Sequence, residues 1–445
     1  MDEKICERVR QMFFMKRPVT EICHTIANYL IHRFKFRTIT GKKNKEIYVY
    51  DEGIFKERGK EIIERECESI MENFSKNSIV NEVISKIERS TIVDKSSMGC
   101  KNVNLICLKN GVLDLEKEQL CPHSPDFGFM SKYPLVYNPT KKCDKVFRFL
   151  EDVLYHEDLK VVQEWFGFLL WRDYFAKKAV ICRGEKHTGK TTFLNLMKEF
   201  VGGENISQVD LQKLAQGRWF AGELRYKFAN IKDELSEKDV EDVEIFKSAT
   251  GKSPLRGEKK FGDEYHFTNY AKLIFATNKV PYIKTSEFDK AYFDRWIIMT
   301  FDNIFDEKNK TTDPDILKKI CTDDELSGLL NWAIIGLKRL RKQRFFSYHK
   351  TPEEIRVIMQ SDSSSIARFT FECCKKVVGN WVSKEDMYED YCRYVDINDL
   401  RRETKDMFGK RFLDFCLYCS DSRDSTGKRL GWRDVKVEDI KIFGV

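Results

Sequence analysis

Apolar residues along the chain recur with two periods, one typical of helices and one typical of strands. Residues 61–73 carry apolar side chains at helical spacing, which predicts an amphipathic helix. Residues 46–55 alternate apolar and polar positions around a turn that contains glycine, and residues 104–114 read as two strands joined by an Asn-Gly turn. Both stretches predict β-hairpins. We therefore expect the first 95 residues to be mostly helical, with one hairpin.

Four short apolar runs in the middle of the chain have the length of buried strands. A helix-compatible segment follows the first run, and polar or glycine-containing stretches separate the others. We expect strands at residues 179–182, 226–231, 272–277 and 296–301.

The C-terminal third is predicted to be mainly helical. Apolar residues recur at helical spacing over residues 313–344, 351–378, 384–395 and 403–419. A basic stretch with two glycines, residues 427–431, then predicts a hairpin. Three helices and a basic hairpin resemble a winged helix, a unit whose wing or recognition helix touches DNA.

The first apolar run of the middle region leads into a segment with the form of a phosphate-binding loop. The sequence GEKHTGKT fits the pattern G-x-x-x-x-G-K-T, with a strand before it and a helix after it. Loop N–H groups and the helix N-terminus attract phosphate, Lys190 should reach the β- and γ-phosphates, and the Thr191 hydroxyl should bind Mg²⁺. The predicted nucleotide-binding residues are Gly184, Glu185, Lys186, His187, Thr188, Gly189, Lys190, Thr191 and Thr192.

Polar residues follow the next two predicted strands. We expect Asp233 to hold Mg²⁺, directly or through water, and Glu234 to act as general base toward the attacking water. A solvated helix cap is the alternative for this acidic pair. Asn278 comes at the end of its strand, where its amide could hydrogen-bond the γ-phosphate or the attacking water.

Arg295 stands immediately before the strand at residues 296–301. An arginine at the edge of a nucleotide-binding core is placed to reach the γ-phosphate bound by a neighbouring subunit. The alternative is a surface ion pair with Asp289 or Asp294.

Residues 252–267 combine cations and aromatic residues around two glycines, which predicts a basic hairpin with its tip near residues 257–260. Cations and an aromatic ring on a projecting loop suit the phosphates and bases of a single strand. A solvated surface turn is the alternative. The cations of this stretch are Lys252, Arg256, Lys259 and Lys260.

Composition narrows the class of protein only a little. Lys and Arg number 78 against 71 Asp and Glu, giving a net charge of +7 and an isoelectric point near 8.6, which a nucleic-acid partner fits but does not require. The N-terminus is charged throughout and the apolar runs are shorter than a membrane span, so we expect a cytoplasmic protein without a membrane segment. The fourteen cysteines are expected to be reduced thiols, including Cys416 and Cys419, whose C-x-x-C spacing lacks a second pair for a metal.

These motifs, in this order, resemble those of the superfamily 3 helicases, specifically the helicase portion of the phage and plasmid primase–helicase family, to which the poxvirus primase–helicase also belongs. The likeness runs from about residue 104 to the C-terminus and includes GEKHTGKTT, NIKDE, KLIFATNKVP and FDRWIIMTF. It implies an α/β fold with an AAA+-like P-loop core, in which helices flank a parallel sheet.

The resemblance, together with the pattern of elements, suggests five regions. The first is a mostly helical N-terminal region with a hairpin. It is followed by a helical lead-in or collar, the ATPase core, a helical lid or linker, and a winged-helix-like DNA-binding domain. Their expected bounds are residues 1–100, 101–172, 173–305, 306–365 and 366–445.

The resemblance also implies roles for the residues named above. ATP would bind between the subunits of a hexameric ring, with Walker A at Lys190 and Thr191, Walker B at Asp233 and Glu234, a sensor at Asn278 and a finger acting in trans at Arg295. The basic hairpin would grip single-stranded DNA inside the ring, and movement from 3′ to 5′ is inherited from the superfamily. The implied DNA contacts are Lys252, Arg256, Lys259, Lys260, Phe261 and His266.

The resulting expectation is an ATP-dependent DNA helicase that acts on single-stranded or forked DNA in replication of a virus, plasmid or integrated element. An ATP-controlled initiator or loader without processive unwinding is the alternative, and RNA-directed unwinding is a third interpretation. Lys252 departs from the family, which usually carries an acidic residue there. The first 100 residues are too few for a primase domain, so we expect no primer synthesis by this chain, and a separate primase could supply it.

Overall fold

Four helices and a three-stranded antiparallel sheet form the N-terminal region. The computed structural model describes residues 3–41, 45–94, 97–235, 243–258, 264–278, 280, 289–305 and 312–438. The first elements are α1 (Glu3–Phe14), α2 (Val19–Phe34), β1 (Phe36–Thr40), β2 (Lys45–Asp51), β3 (Ile54–Lys56), α3 (Gly59–Met71) and α4 (Asn77–Ser90).

The helices of this region bury the apolar faces that their spacing predicted, with Ile63 and Val83 fully inaccessible to solvent. The predicted hairpin is β2–β3, which is confirmed. Strand β1 was not predicted, because its five residues are too few for a clear alternation. It is identified by its pairing with β2, where Phe36 lies opposite Val49.

A second three-stranded sheet and two helices lead toward the centre of the molecule. The predicted Asn-Gly hairpin is confirmed as an antiparallel pair, and a third strand joins it. The elements are β4 (Leu105–Leu108), β5 (Gly111–Asp114), β6 (Gln119–Cys121), α5 (Asp144–Val153) and α6 (Leu159–Leu169).

The central unit is a five-stranded parallel sheet flanked by helices. Its three longest strands, at residues 179–184, 272–277 and 296–301, are mainly apolar because both faces of the sheet are covered. The elements are β7 (Ala179–Gly184), α7 (Lys190–Val201), β8 (Ile206–Ser207), α8 (Leu211–Gln216), α9 (Arg218–Gly222), β9 (Ala229–Lys232), α10 (Glu244–Ala249), β10 (Pro254–Glu258), β11 (Glu264–Thr268), β12 (Lys272–Thr277), α11 (Lys290–Phe293) and β13 (Trp296–Phe301).

The strand order in the central sheet is β13-β7-β12-β9-β8. The chain thus starts in β7, crosses to the far edge at β8, returns through β9 and β12, and places β13 on the other side of β7. Strands β10 and β11 form a separate antiparallel hairpin between β9 and β12 in the sequence.

Three helices connect the central sheet to the C-terminal unit, namely α12 (Ile316–Ile320), α13 (Asp323–Gln343) and α14 (Pro352–Ser363). Helix α13 packs closely along α6, because glycines at the contact let the two backbones approach. A Cβ atom at Gly167 would lie 2.5 Å from the carbonyl oxygen of Ala333. The fully buried carboxylate of Glu164 accepts hydrogen bonds from Arg339 and Ser347, which fixes the same contact.

The C-terminal unit combines three helices with a three-stranded antiparallel sheet of order β14-β16-β15. The fully buried ring of Trp432 packs against Phe408 and Phe412 at its centre. The elements are α15 (Ser365–Cys373), β14 (Cys374–Ser383), α16 (Lys384–Ile397), α17 (Lys405–Phe415), β15 (Ser420–Arg423) and β16 (Leu430–Val437).

The prediction of continuous helix through residue 378 was wrong. Helix α15 ends at Cys373, and residues 374–383 form β14, which pairs with β16 so that Cys374 lies opposite Val437. Pairing with a distant strand outweighs the local helical pattern, and the β-branched residues Val377 and Val378 also favour a strand over a helix.

The cysteine prediction needs one correction. Cys416 and Cys419 form a disulfide, whereas we expected two reduced thiols. The turn at the end of α17 brings their Cα atoms to 5.8 Å, a separation that disulfides usually have. The other twelve cysteines are free, as expected.

Within the residues that the structure describes, no helix is both long and apolar enough to cross a bilayer. The same residues contain no group of three or more His, Cys, Asp or Glu side chains arranged to hold a metal ion.

Candidate functional site

Most of the residues predicted to bind or hydrolyse the nucleotide lie at the carboxyl ends of neighbouring strands in the central sheet. Strand β12 lies between β7 and β9, with Thr277 opposite Arg183 and Phe275 opposite Lys232. The three strands therefore end side by side, and the loops that follow them share one crevice. In parallel α/β sheets, ligands bind outside the carboxyl ends of the strands, where neighbouring connections leave in opposite directions. Strand β7, with β13 on one side and β12 on the other, is such a position.

The loop between β7 and α7 is closely packed at both of its glycines. A Cβ atom at Gly184 would overlap the carbonyl oxygen of Phe301 in the neighbouring strand. Gly189 has φ 83° at the start of α7, and a Cβ atom there would lie 2.6 Å from Val153. These contacts require glycine at both positions, which the motif also demands.

Hydrogen bonds hold the rest of the loop. The Thr188 hydroxyl donates to the carbonyl oxygen of Glu185 at 2.9 Å, and the Phe305 N–H donates to the carbonyl oxygen of His187 at 2.8 Å. Lys186 and Thr191 are exposed, and Thr192 lies half-buried in the first turn of α7.

Lys190 occupies the centre of this loop. Its ammonium group donates to the carbonyl oxygens of Gly184 and Glu185, the latter at 2.6 Å, and to Asn278 Oδ1 at 3.1 Å. Partial burial lowers the pKa of Lys190. The loop lysine and the amide at the end of β12, 88 positions apart in the sequence, are therefore in direct contact.

The acidic pair lies beside the same crevice. Both carboxylates are exposed, and Leu235 N–H donates to the carbonyl oxygen of Ala276 at 2.9 Å, which keeps the pair next to the end of β12. Asp233 forms an ion pair with Lys198 of α7, with 2.5 Å between Oδ2 and Nζ. Nothing in the sequence distinguishes Lys198 from other helix lysines, so this contact was not predicted.

Arg295 lies at the opposite end of the strands, where they begin. Its carbonyl oxygen accepts a hydrogen bond from Ala179 N–H, at the amino end of β7, and Trp296 lies opposite the same residue. A six-residue strand spans about 20 Å, so Arg295 does not reach the crevice of its own chain.

The half-buried Arg295 guanidinium donates from Nε to the Thr250 hydroxyl at 3.0 Å and from Nη1 to the carbonyl oxygen of Ala291. Burial lowers its pKa. The two aspartates considered as its ion-pair partners are paired elsewhere in the described structure, Asp289 with Lys247 and Asp294 with Lys178.

The predicted basic hairpin is formed by β10 and β11. Arg256 lies opposite His266, and both point to the exposed face, where Arg256 pairs with Glu264 at 3.0 Å. Lys252 precedes the hairpin and pairs with Asp173 at 3.0 Å. The remaining predicted DNA contacts, Lys259, Lys260 and Phe261, lie outside the described residues.

A cavity of about 910 Å³ lies apart from this crevice, between the β2–β3 hairpin and the end of the β10–β11 hairpin nearest its turn, where Glu258 and Tyr265 line it. Arg225 stands at its wall, with its guanidinium 4.4 Å from the ring of Tyr226 and 4.5 Å from that of Tyr265. Its charged lining residues carry both signs, which identifies no single class of ligand.

Two family models match separate ranges of the chain. Residues 13–155 match the family model described as D5 N terminal like, and residues 182–295 match a family of unknown function, DUF5906. The first match begins at residue 13, whereas the motifs that resemble the primase–helicase family begin only at about residue 104. No curated protein matches the sequence.

Solved structures share the fold. Two apo structures of the NrS-1 C terminal region align over 92% of this chain and over 99% and 98% of theirs, with TM-scores of 0.51 and 0.52. Their sequences are 11% and 12% identical to this one. Most of this chain therefore shares its fold with the C-terminal region of another protein.

Proposed function

We propose that this protein is an ATP-driven motor that unwinds DNA during replication of a virus, plasmid or integrated element. The observation that carries the proposal is the contact between Lys190 and Asn278 at the carboxyl edge of the sheet, with Asp233 and Glu234 on the next loop. A phosphate-binding lysine, a polar sensor and an acidic pair are the groups that ATP hydrolysis requires at one place. The primase–helicase motifs and the D5 N terminal like match support the link to replication.

Each group at the crevice has a separate task in this proposal. Lys190 exchanges its loop carbonyl partners for the β- and γ-phosphates of ATP, while the N–H groups at the start of α7 contact the same phosphates. Glu234 accepts the proton of the attacking water, and Asn278 holds that water or the γ-phosphate in line.

The donor set at the crevice suits Mg²⁺, because a hydroxyl at Thr191 and a carboxylate at Asp233 are oxygen ligands on adjacent elements. Bound Mg²⁺ would neutralise charge on the phosphates. Asp233 has to part from Lys198 to bind the ion.

The position of Arg295 supports an assembly of several subunits. An arginine at the amino edge of the sheet is too far from its own loop to contact the γ-phosphate there, yet its guanidinium is half-exposed toward the surface. We propose that it completes the ATP site of a neighbouring copy in a hexameric ring.

Two surfaces would contact DNA. In the ring, the exposed face of the β10–β11 hairpin, with Arg256 and His266, would face one strand together with the hairpin tip. The C-terminal unit, in which α15, β14, α16, α17, β15 and β16 follow one another, is winged-helix-like and would contact the duplex. Polarity from 3′ to 5′ is taken from the superfamily, and primer synthesis from a separate primase.

The experiment measures ATP hydrolysis by the full chain with and without single-stranded DNA, and strand displacement on a forked duplex. We expect DNA to stimulate hydrolysis, and Lys190→Ala to abolish both activities. Hydrolysis that DNA does not stimulate, with no displaced strand, would favour an ATP-controlled initiator or loader instead. A forked RNA substrate in the same assay separates DNA from RNA unwinding.

A further inference from the structure

The segment that carries Arg295 and the root of the basic hairpin are joined through one buried threonine. Thr250 follows α10 directly and begins the connection to β10, and its side chain is fully buried. Its hydroxyl accepts the Nε–H of Arg295 at 3.0 Å and donates to the carbonyl oxygen of Phe246 at 2.8 Å. Both hydrogen-bonding roles of the hydroxyl are therefore used.

Two further contacts join the same elements. Lys247 of α10 pairs with Asp289, the residue that caps α11, at 3.1 Å. The ring of Phe246 stacks on that of Trp296 with 4.5 Å between centroids. Helix α10 and the segment from residue 289 to residue 296 consequently form one packed unit.

The second stem of the hairpin returns to the same place. Asn269 follows β11, is almost completely buried, and donates from Nδ2 to the carbonyl oxygen of Ala249 at 2.7 Å. Both stems of the hairpin thus meet at the end of α10, one residue from the contact with Arg295.

From these contacts we infer that Thr250 is a positioning residue for Arg295, and that its hydroxyl links the arginine that serves a neighbouring subunit's ATP to the root of the DNA-gripping hairpin. The inference rests on the proposed function and deepens it, because it names the link between the ATP site and the DNA contact.

The hydrogen bond to Nε sets the plane of the guanidinium group, since the fork of an arginine is rigid. A displacement of about 1 Å at a reacting group can cost on the order of 100-fold in rate. ATP itself binds at the opposite edge of the sheet, through Lys190. Loss of the Thr250 hydroxyl should therefore lower kcat and leave the KM for ATP nearly unchanged.

The test compares Thr250→Val, which keeps the shape and removes the hydroxyl, with Thr250→Ser, which keeps the hydroxyl. Thr370→Val is the matched control, because Thr370 in the C-terminal unit is also a buried threonine whose hydroxyl donates to the carbonyl oxygen four residues earlier, at 2.7 Å. DNA-stimulated kcat and KM for ATP are measured for each variant in the full chain, beside wild type and Lys190→Ala.

We expect Thr250→Val to lower kcat by about ten-fold or more with KM within about two-fold, Thr250→Ser to recover most of the rate, and Thr370→Val to keep it. Unchanged kcat in Thr250→Val, or an equal loss in Thr250→Ser or Thr370→Val, would overturn the role of Thr250. A wild type that hydrolyses no ATP would overturn the proposed function itself, and this role with it.

Mixed subunits separate positioning from misfolding. Lys190→Ala subunits retain an intact Arg295 and Thr250, which they can present to the loop of a Thr250→Val neighbour. The mixture should hydrolyse ATP faster than either variant alone, and a mixture without this gain would contradict the inference.

Discussion

Lys190 and Asp233, the two residues with the most direct expected contact to the phosphates and the metal, are each held by groups of the protein itself. Lys190 contacts loop carbonyls and Asn278, and Asp233 pairs with Lys198. Ligand binding would therefore exchange one set of partners for another. Stronger internal contacts should therefore raise the concentration of nucleotide or metal that half-saturates the site.

The ion pair between Lys198 and Asp233 leads to a prediction for Mg²⁺ dependence. Lys198→Met removes a cation that competes with the metal for the carboxylate. An exposed pair is worth up to about 1 kcal/mol, so the Mg²⁺ concentration for half-maximal ATPase should fall by up to about five-fold. The measurement is a Mg²⁺ titration at saturating ATP.

Lys384→Met is the control for this titration, since Lys384 also lies on a helix and pairs with an aspartate, Asp421, in the C-terminal unit. Its titration should match that of the wild type. A higher Mg²⁺ requirement in Lys198→Met would contradict competition at Asp233.

Asp158, in the turn between α5 and α6, leads to a prediction for the pH dependence of stability. Burial raises the pKa of Asp158 to about 6, although nearby Lys350 acts in the opposite direction. The folded state then binds more protons than the unfolded state between about pH 4 and pH 6, so this group's contribution to stability falls as pH rises through that range. Asp158→Asn removes this loss.

The measurement is the Tm of Asp158→Asn minus that of wild type from pH 4 to pH 7.5. The difference should grow as pH rises and level off above about pH 6 to 7, because the wild-type carboxylate is then charged. A difference that is constant with pH would show that Asp158 does not titrate as proposed.

At the scale of elements, the helix pair α6–α13 shows how close backbone approach organises the molecule. Helix α6 precedes β7 and α13 follows β13, so their contact joins the two segments that flank the central sheet in the sequence. Glycine at the contact and the buried Glu164–Arg339 pair both act at this interface.

Gly167→Ala should be destabilising by about 1–3 kcal/mol, because the added methyl group meets the backbone of α13 and the helices have to move apart. Gly409→Ala is the opposite case. Gly409 lies inside α17 with open space around it, so alanine there should stabilise by about 0.5–1 kcal/mol. Differential scanning calorimetry should show a lower Tm than wild type for Gly167→Ala and a higher Tm for Gly409→Ala. A stabilised Gly167→Ala protein would exclude a tight interface.

At the scale of the whole molecule, the parallel sheet separates the parts of the proposed ATP site. The loop with Lys190 lies at the carboxyl edge, and Arg295 lies at the amino edge. In this proposal, each chain contributes Lys190 to one ATP site and Arg295 to the ATP site of a neighbouring chain. This arrangement suits a ring in which every subunit contacts two neighbours.

Mixing Arg295→Ala with Lys190→Ala subunits tests this arrangement. Each variant alone should be inactive, whereas the mixture should regain part of the ATPase activity, because some interfaces combine an intact Lys190 with an intact Arg295. Wild-type protein mixed with each variant serves as the reference for dilution. A mixture as inactive as its components would place the arginine's role within its own subunit.

Local sequence determined a large part of this description. The P-loop motif, the buried strands, the predicted hairpins and most helices follow from periodicity, turn residues and glycine spacing over stretches of ten to twenty residues. These signals are local because the hydrogen bonds of helices and tight turns, and the burial of one face, depend on near neighbours. The order of the motifs in the sequence also predicts that the acidic pair and Asn278 lie near Lys190.

Only the tertiary structure decided what depends on pairing between distant parts of the chain. The order and direction of the strands in the central sheet place Lys190 in contact with Asn278. They also place Arg295 at the amino ends of the strands, where it contacts Thr250. Strand β14 replaced a predicted helix because β16 pairs with it. Hydrogen bonds between strands and ion pairs across elements leave no period in the sequence, so Lys198 and Thr250 gained their expected roles only from their neighbours in space.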